Sequence, residues 1–267
     1  MNDQSAPKTQ DTSVELDFQA RQAAMTEAIT ATPAETVERY RQHRNWRSDN
    51  RECVFRHVHL YGGKRICDFG CGAGETSTEL GLMGFDVVGF DLSPELIELA
   101  QRRAKLDRVE AKVTFYIGNA LELQTQAGQF DSVVCMGVLH HLVDVREALQ
   151  PVEALLKPGG HLILQEPIAF SPMLQRLRDR TPVPKDISPN ERQLVQHDID
   201  LVEAKFEVVE KRYFLLFARL RRLVPESWPN LHRRAVLLLG ALDCAVLTCL
   251  PFMRPFAGAL IMVCRKR

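Results

Sequence analysis

The spacing of apolar residues changes character several times along the chain. Residues 1–34 are polar and without a sustained period, which predicts a flexible N-terminal arm carrying little chemistry. From Glu35 to His59 apolar residues recur at helical spacing, and Tyr40 and Trp46 are among them. Arg65–Phe69 then reads as a buried strand that runs into glycines. Strand-like runs follow at Asp86–Asp91, Val113–Ile117, Asp131–Met136 and His161–Gln165, with helical patterns near 75–84, 94–107 and 144–157 between them. Strands that alternate with helices pair in parallel, because each helix carries the chain back along the sheet. Two late runs, Phe206–Phe214 and Ala259–Cys264, predict an antiparallel pair at one edge. The expected fold is α/β, with a mostly parallel seven-stranded sheet, an antiparallel last strand and helices on its faces.

Helix starts are marked by local chemistry. Ser93 before Pro94 offers an N-cap with proline at the first helical position, and Ser188-Pro189-Asn190-Glu191 repeats this with a capping box. A helix is expected to follow, with Val195, Ile199, Val202 and Phe206 on one face. Leu215 to Phe256, between the last two strands, is too long for an ordinary connection and is expected to form a helical cap. Its second part, Ala235 to Phe252, is almost wholly apolar, interrupted by Asp243 and Pro251.

The segment Asp68-Phe69-Gly70-Cys71-Gly72-Ala73-Gly74-Glu75-Thr76 sits where a strand turns into a helix, so a ligand can approach the backbone closely and meet free N–H groups. A dinucleotide fingerprint fails here, because the position three after its second glycine holds Glu75, or Ser77 if the motif starts at Gly72. A P-loop fails too, since no Lys-Ser or Lys-Thr follows. Asp68 and Glu75 bracket the loop with negative charge, which repels a pyrophosphate and favours a ligand with an ammonium and a sulfonium. S-adenosylmethionine carries both. Asp91, at the end of the next strand, is a carboxylate suited to both ribose hydroxyls.

With these residues the chain resembles the class I S-adenosylmethionine-dependent methyltransferases over about residues 36–167, in their small-molecule branch of sugar, quinone and natural-product O-methyltransferases. The glycine segment resembles the family's first motif and Phe90-Asp91-Leu92-Ser93 its second. Gly118-Asn119-Ala120 resembles the adenine-contacting motif, and Leu156-Lys157-Pro158-Gly159-Gly160 the turn before the fifth strand. The resemblance implies a Rossmann-like methyltransferase domain over 35–267, with substrate-side insertions at about 168–190 and 215–257. It implies S-adenosylmethionine as cofactor, contacted by Asp68, Gly70, Cys71, Gly72, Gly74, Asp91, Leu92, Asn119, Ala120 and Met136. Asn119 departs from the family's usual aspartate, yet its amide oxygen still accepts from an adenine amino group. The thiols of Cys67 and Cys71 are read as packing. Tyr40 and Trp46 are either a lid closing over the cofactor or helix core.

After the fourth strand the chain reads Cys135-Met136-Gly137-Val138-Leu139-His140-His141-Leu142. Ligands in open α/β sheets bind at the carboxyl ends of strands where strand order reverses; the resemblance implies that this crevice lies between the first and fourth strands, with His140 and His141 at its mouth and Glu166 on the same edge. Methyl transfer is an in-line displacement that depends on positioning, and a hydroxyl acceptor gains from a histidine base. His141 and His140 are candidate bases, with Glu166 to orient one of them. The Asn/Asp-Pro-Pro-Tyr/Phe run of amide and adenine N-methyltransferases is absent, as is a Pro-Cys nucleophile. A non-catalytic cofactor-binding accessory protein, or a C-, N- or S-methyltransferase working by positioning alone, stays open.

Composition narrows the partners. Lys plus Arg and Asp plus Glu each number 34, so no global charge draws the chain to nucleic acid. Residues 1–167 hold 17 basic and 24 acidic side chains, against 17 and 10 in residues 168–267, which is either a solvated face or a surface for an anionic or amphiphilic partner. The seven cysteines show neither a zinc spacing nor a disulfide framework, so no metal and a cytoplasmic setting are expected. The apolar cap packs on itself or in a homodimer, or else it predicts an acceptor with an apolar part or a membrane-surface contact aided by Arg219, Arg221 and Arg222, with Arg176, Arg178 and Arg180 on the neighbouring connection.

Overall fold

The computed structural model describes residues 12–25, 29–118, 127–172, 191–225 and 227–267. Seven strands form one sheet in the order β3-β2-β1-β4-β5-β7-β6. They are β1 Arg65–Phe69, β2 Asp86–Asp91, β3 Val113–Ile117, β4 Phe130–Met136, β5 Leu156–Pro167, β6 Glu207–Phe214 and β7 Ala259–Arg265. The first five pair in parallel, and β7 enters between β5 and β6 antiparallel to both. This is the expected α/β sheet, with β6 outermost at the antiparallel edge.

Helices cover both faces, so the central strands are apolar on both sides rather than alternating with polar residues. Period two sorts their side chains. Cys67, Val133, Leu162, Leu164, Leu260 and Met262 point into one core with the helices α6 Arg146–Leu155 and α7 Gln196–Lys205. Ile66, Val134, Ile163, Ile261 and Val263 point into the other with α3 Asn50–Tyr61 and α5 Pro94–Leu106. Start signals act locally as expected at α5, where the Ser93 hydroxyl accepts the Leu96 N–H at 3.2 Å and Pro94 fills the first turn.

Several boundaries differ from the sequence reading. The helical stretch from Glu35 to His59 is two helices, α2 Ala34–Gln42 and α3, because His43 takes a left-handed conformation at φ 49° and Asp49 caps a new start through the Arg51 and Glu52 amides. β5 begins at Leu156, before the Pro-Gly-Gly turn expected to precede it, with an irregularity opposite Phe130 and Ser132. Ser188 to Asn190 lie outside the described residues, and α7 starts later, at Gln196. There Asp198 turns back to accept the Val195 N–H at 2.8 Å, so its carboxylate does the work expected of the earlier box. Within the expected N-terminal arm, α1 spans Thr12–Met25 and packs on α5. Thr32 then fastens to Asp107, its hydroxyl 2.6 Å from the carboxylate.

The described part of the 215–257 segment is largely helical. A 3-10 stretch at Ala218–Leu223, the helix α8 Pro229–Cys249 and a second 3-10 stretch at Pro251–Phe256 fold over β6. Asp243 on α8 is buried and accepts the backbone N–H groups of Leu216, Phe217 and Ala218 at 3.0, 2.6 and 3.3 Å. Burial raises its pKa while these bonds oppose the shift. Replacing Asp243 with alanine orphans three amides at once, so the cap should open more readily by about 1–3 kcal/mol. Hydrogen exchange checks this: amides 216–218 should exchange faster in Asp243→Ala while those of β1 and β4 keep the parent rates.

Candidate active site

Strand order reverses between β1 and β4, so their carboxyl ends leave a crevice that neither connecting loop crosses. On its β1 side the glycine turn is fixed from below, since the Gly70 and Cys71 amides both donate to the Phe90 carbonyl at 2.9 Å. Gly70, Gly72 and Gly74 take φ of 70, 51 and 76°, a region L side chains avoid. A Cβ on Gly74 would lie 2.7 Å from that of Ala100, so this glycine lets α4, Glu75–Leu82, sit close to α5. At Gly72 the same atom would meet nothing within 4 Å, which makes it the open side of the turn, where a ligand can lie on backbone.

Two buried carboxylates flank this turn. Asp68, at the end of β1, accepts the Ser77 hydroxyl at 2.6 Å. Desolvation pushes its pKa up to about 6 against the pull of Ser77 and of the Arg51 guanidinium. Asp91 ends β2 and holds two loops together, accepting from the Gly72 amide at 2.8 Å and the Ser93 amide at 3.0 Å. Leu92 beside it is 39% exposed. The Asp91 carbonyl takes the Gly118 N–H at 3.0 Å, and Asn119 and Ala120 lie outside the described residues. Cys71 packs its sulfur toward Gly89, and burial keeps the thiols of Cys67 and Cys71 protonated, which suits packing and not nucleophilic attack.

On the β4 side, Met136 ends the strand and its sulfur meets the Thr76 hydroxyl at 3.7 Å, so the two walls touch across the crevice. Gly137 turns at φ 70° and the chain enters a 3-10 turn, Leu139–His141. Glu166 governs this turn. Wholly buried at the end of β5, it accepts the Val138 and Leu139 amides at 2.9 and 2.8 Å with one oxygen and faces His140 Nδ1 at 2.8 Å with the other. His140 Nε2 lies 3.7 Å from Glu191, and the His140 carbonyl accepts the Arg192 N–H at 3.0 Å. His141 is half-buried, its ring 4.1 Å from that of His140. Val138 presses on Gly70, where an added Cβ would lie 2.5 Å from a Val138 methyl. The structure thus brings Asp68, Gly70, Gly72, Gly74, Asp91, Met136, His140, His141 and Glu166 to one edge.

Tyr40 is buried and stacked on Phe55 at 4.3 Å, beside Arg51, which pairs with Glu79. The guanidinium groups of Arg56 and Arg212 lie over the Trp46 ring, 4.0 and 4.2 Å from its centre. Sequence reasoning missed Ser77, Arg51 and Glu191. Ser77 had a readable signal as a hydroxyl on a buried helix face just past the glycines. Glu191 had none, because it reaches His140 across a long connection.

Residues 60–218, more than half of the chain, match the family described as Methyltransferase domain. The chain belongs to that family. The methyltransferase domain takes S-adenosylmethionine as its cofactor. The open side of Gly72, the acids Asp68 and Asp91 and the absence of a phosphate-type loop fit that molecule. Among curated relatives, the chain is 38% identical over 111 residues to the mitochondrial ubiquinone biosynthesis O-methyltransferase of Schizosaccharomyces pombe, covering 42% of this chain and 40% of that protein. It is 36% identical over 114 residues to the ubiquinone biosynthesis O-methyltransferase of Xanthomonas axonopodis pv. citri, covering 41% and 47%. The matched stretch therefore spans less than half the length of these relatives. Among solved structures, the fold is shared with the [4+2]-cyclase SpnF at TM-score 0.57 and 20% identity, covering 82% of this chain and 81% of that one. It is shared as well with phosphoethanolamine N-methyltransferase 2 of Haemonchus contortus at TM-score 0.55 and 16% identity, covering 80% and 52%.

The raised pKa of Asp68 has a consequence for stability. The folded chain holds this proton more tightly than the unfolded chain, so Asp68 favours folding below its ordinary value of 3.8, and that contribution is lost as pH rises through about 6. Asn keeps an acceptor for Ser77 without the charge. Ligand-free Asp68→Asn should therefore be more stable than the parent at neutral pH by on the order of 1–3 kcal/mol, and the gain should vanish near pH 4. Urea titrations across that range measure it.

Proposed function

We propose that this methyltransferase domain methylates a hydroxyl of a partly apolar small molecule, with His140 as the base and Glu166 as the residue that orients it. One observation carries the reading: the Glu166 carboxylate facing His140 Nδ1 at 2.8 Å, at the mouth of the crevice lined by Asp68, Gly72 and Asp91. When bound, S-adenosylmethionine supplies a methyl group on a sulfonium, an electrophile with a good leaving group. The chain's part is to hold donor and acceptor in line and to take a proton. Asp91 receives ribose hydroxyls, and Asp68, once ionised, attracts the ammonium. Glu166 accepts a hydrogen bond from the Nδ1–H of His140 and so holds the neutral tautomer whose Nε2 can take the acceptor's hydroxyl proton. Two backbone amides on the other oxygen of Glu166 hold the turn, so the ring is oriented before an acceptor arrives.

The likeness to O-methyltransferases of ubiquinone biosynthesis supports a hydroxyl acceptor with an apolar part. His141, beside His140, is the rival base. The test is turnover with a deuterium-labelled methyl donor in cell extract, first to find a labelled product and then to rate variants on it. His140→Ala should lower kcat on the order of a hundredfold with cofactor affinity kept, and Glu166→Gln should lower it less. Loss confined to His141→Ala transfers the role to its neighbour. Near-normal rates in both histidine variants leave positioning alone as the mechanism. Cofactor binding without labelled product from any acceptor would favour an accessory, non-catalytic protein.

A further inference from the structure

The helix α8 is amphipathic in the wrong sense for a surface helix. Its inward face is committed to the protein: Asp243 binds three amides, Leu247 is in the core, and Gly240 abuts Ser48, where an added Cβ would come within 2.5 Å of the carbonyl oxygen. Its outward face should then be polar, and it is not. Leu231, Leu238 and Leu242 recur there at helical spacing, with Trp228 before the helix and Phe252 after it, all exposed, Leu238 to 72%. Between Trp228 and Phe256 the sole acidic residue is the buried Asp243, whereas Arg233 and Arg234 are exposed.

We propose that this face seats the protein on an anionic lipid bilayer. Apolar side chains on one face of a helix lying flat can enter the acyl boundary, and arginines extend to the phosphates. A second copy fits the charge less well, because Arg234 lies on the same face as the leucines and the twofold-related surface would bring it no exposed carboxylate between Trp228 and Phe256. The helix lies on the bilayer and does not cross it: its other face is tied down, and among the described residues no helix is long and apolar enough to span. β6 runs parallel to β5, so the cap that follows β6 rises from the sheet edge that bears the crevice. Resting on the reading of an apolar acceptor above, the bilayer is then the source from which the acceptor is drawn.

The experiment is flotation of the full chain with phosphatidylcholine vesicles, with and without phosphatidylglycerol, needing neither cofactor nor acceptor. The parent should float with the anionic vesicles, less so at high salt. Leu238→Glu/Leu242→Glu and, separately, Arg233→Glu/Arg234→Glu should each lower the bound fraction's partition constant roughly tenfold or more. Both pairs are exposed, so thermal midpoints should stay at the parent value. No flotation of the parent, or flotation unchanged in both variants, overturns the proposal. So does a parent dimer in sedimentation equilibrium that the leucine variant splits, with no vesicle binding, since the face then belongs to a second copy. Calorimetry with S-adenosylhomocysteine on the same preparations reports separately on the crevice: cofactor binding without vesicle binding sinks the surface and leaves the methyl-transfer reading standing.

Discussion

The pairing of β1 with β4 is the constraint on which the site depends. Ile66, Cys67 and Asp68 lie in register with Ser132, Val133 and Val134, although the chain has already turned away through β2 and β3 in between. The helices leaving these two strands go to different sides, and the space between their carboxyl ends stays open. Everything with chemical character hangs on that gap: a glycine turn on one wall, a histidine turn on the other, and Val138 pressed on Gly70 where they meet. Cores on both faces make the pairing stiff, since Val133 and Val134 are fully buried on opposite sides.

Buried carboxylates then convert a stiff frame into an organised site. Asp91, Glu166 and Asp243 each gather backbone N–H groups that no strand satisfies: Asp91 ties two loops of the carboxyl edge together, and Glu166 and Asp243 each fix one. Asp68 differs, because the hydrogen bonds it accepts come from Ser77 alone and burial still makes it costly to ionise. That cost is the reserve a bound cation can draw on: an ammonium placed beside Asp68 recovers the interaction that water supplied in the unfolded chain. An acid that the protein itself satisfies poorly is in this sense better suited to bind than one already saturated.

Much of this was legible in the sequence, for physical reasons that differ between parts. Buried strands announce themselves as short apolar runs, and β1, β2 and β3 begin and end where the pattern says. The glycine turn was readable because positive φ and close approach demand glycine, and Asp68 and Asp91 because they end strands beside it. Contacts across long loops were not readable. Nothing local ties Glu191 to His140, Arg212 to Trp46, or Asp243 to the amides after β6. The start of α7 was misplaced because proline and serine signals compete with an acidic residue further on, and Asp198 prevails through a bond that only the folded chain makes. The two helices in place of one between Glu35 and His59 follow from the same blindness, since a left-handed His43 has no sequence mark.

One ligand, bound on the open side of Gly72, is expected to reach both walls of the β1–β4 crevice. Amide hydrogen exchange with and without S-adenosylhomocysteine tests it most directly, because it reads each wall by its own backbone. Slowed exchange is expected at residues 70–76 and 91–93 and at the turn 137–142, with β6 and α8 unchanged. Protection confined to the cap, or none at the glycine turn under saturating ligand, would contradict it.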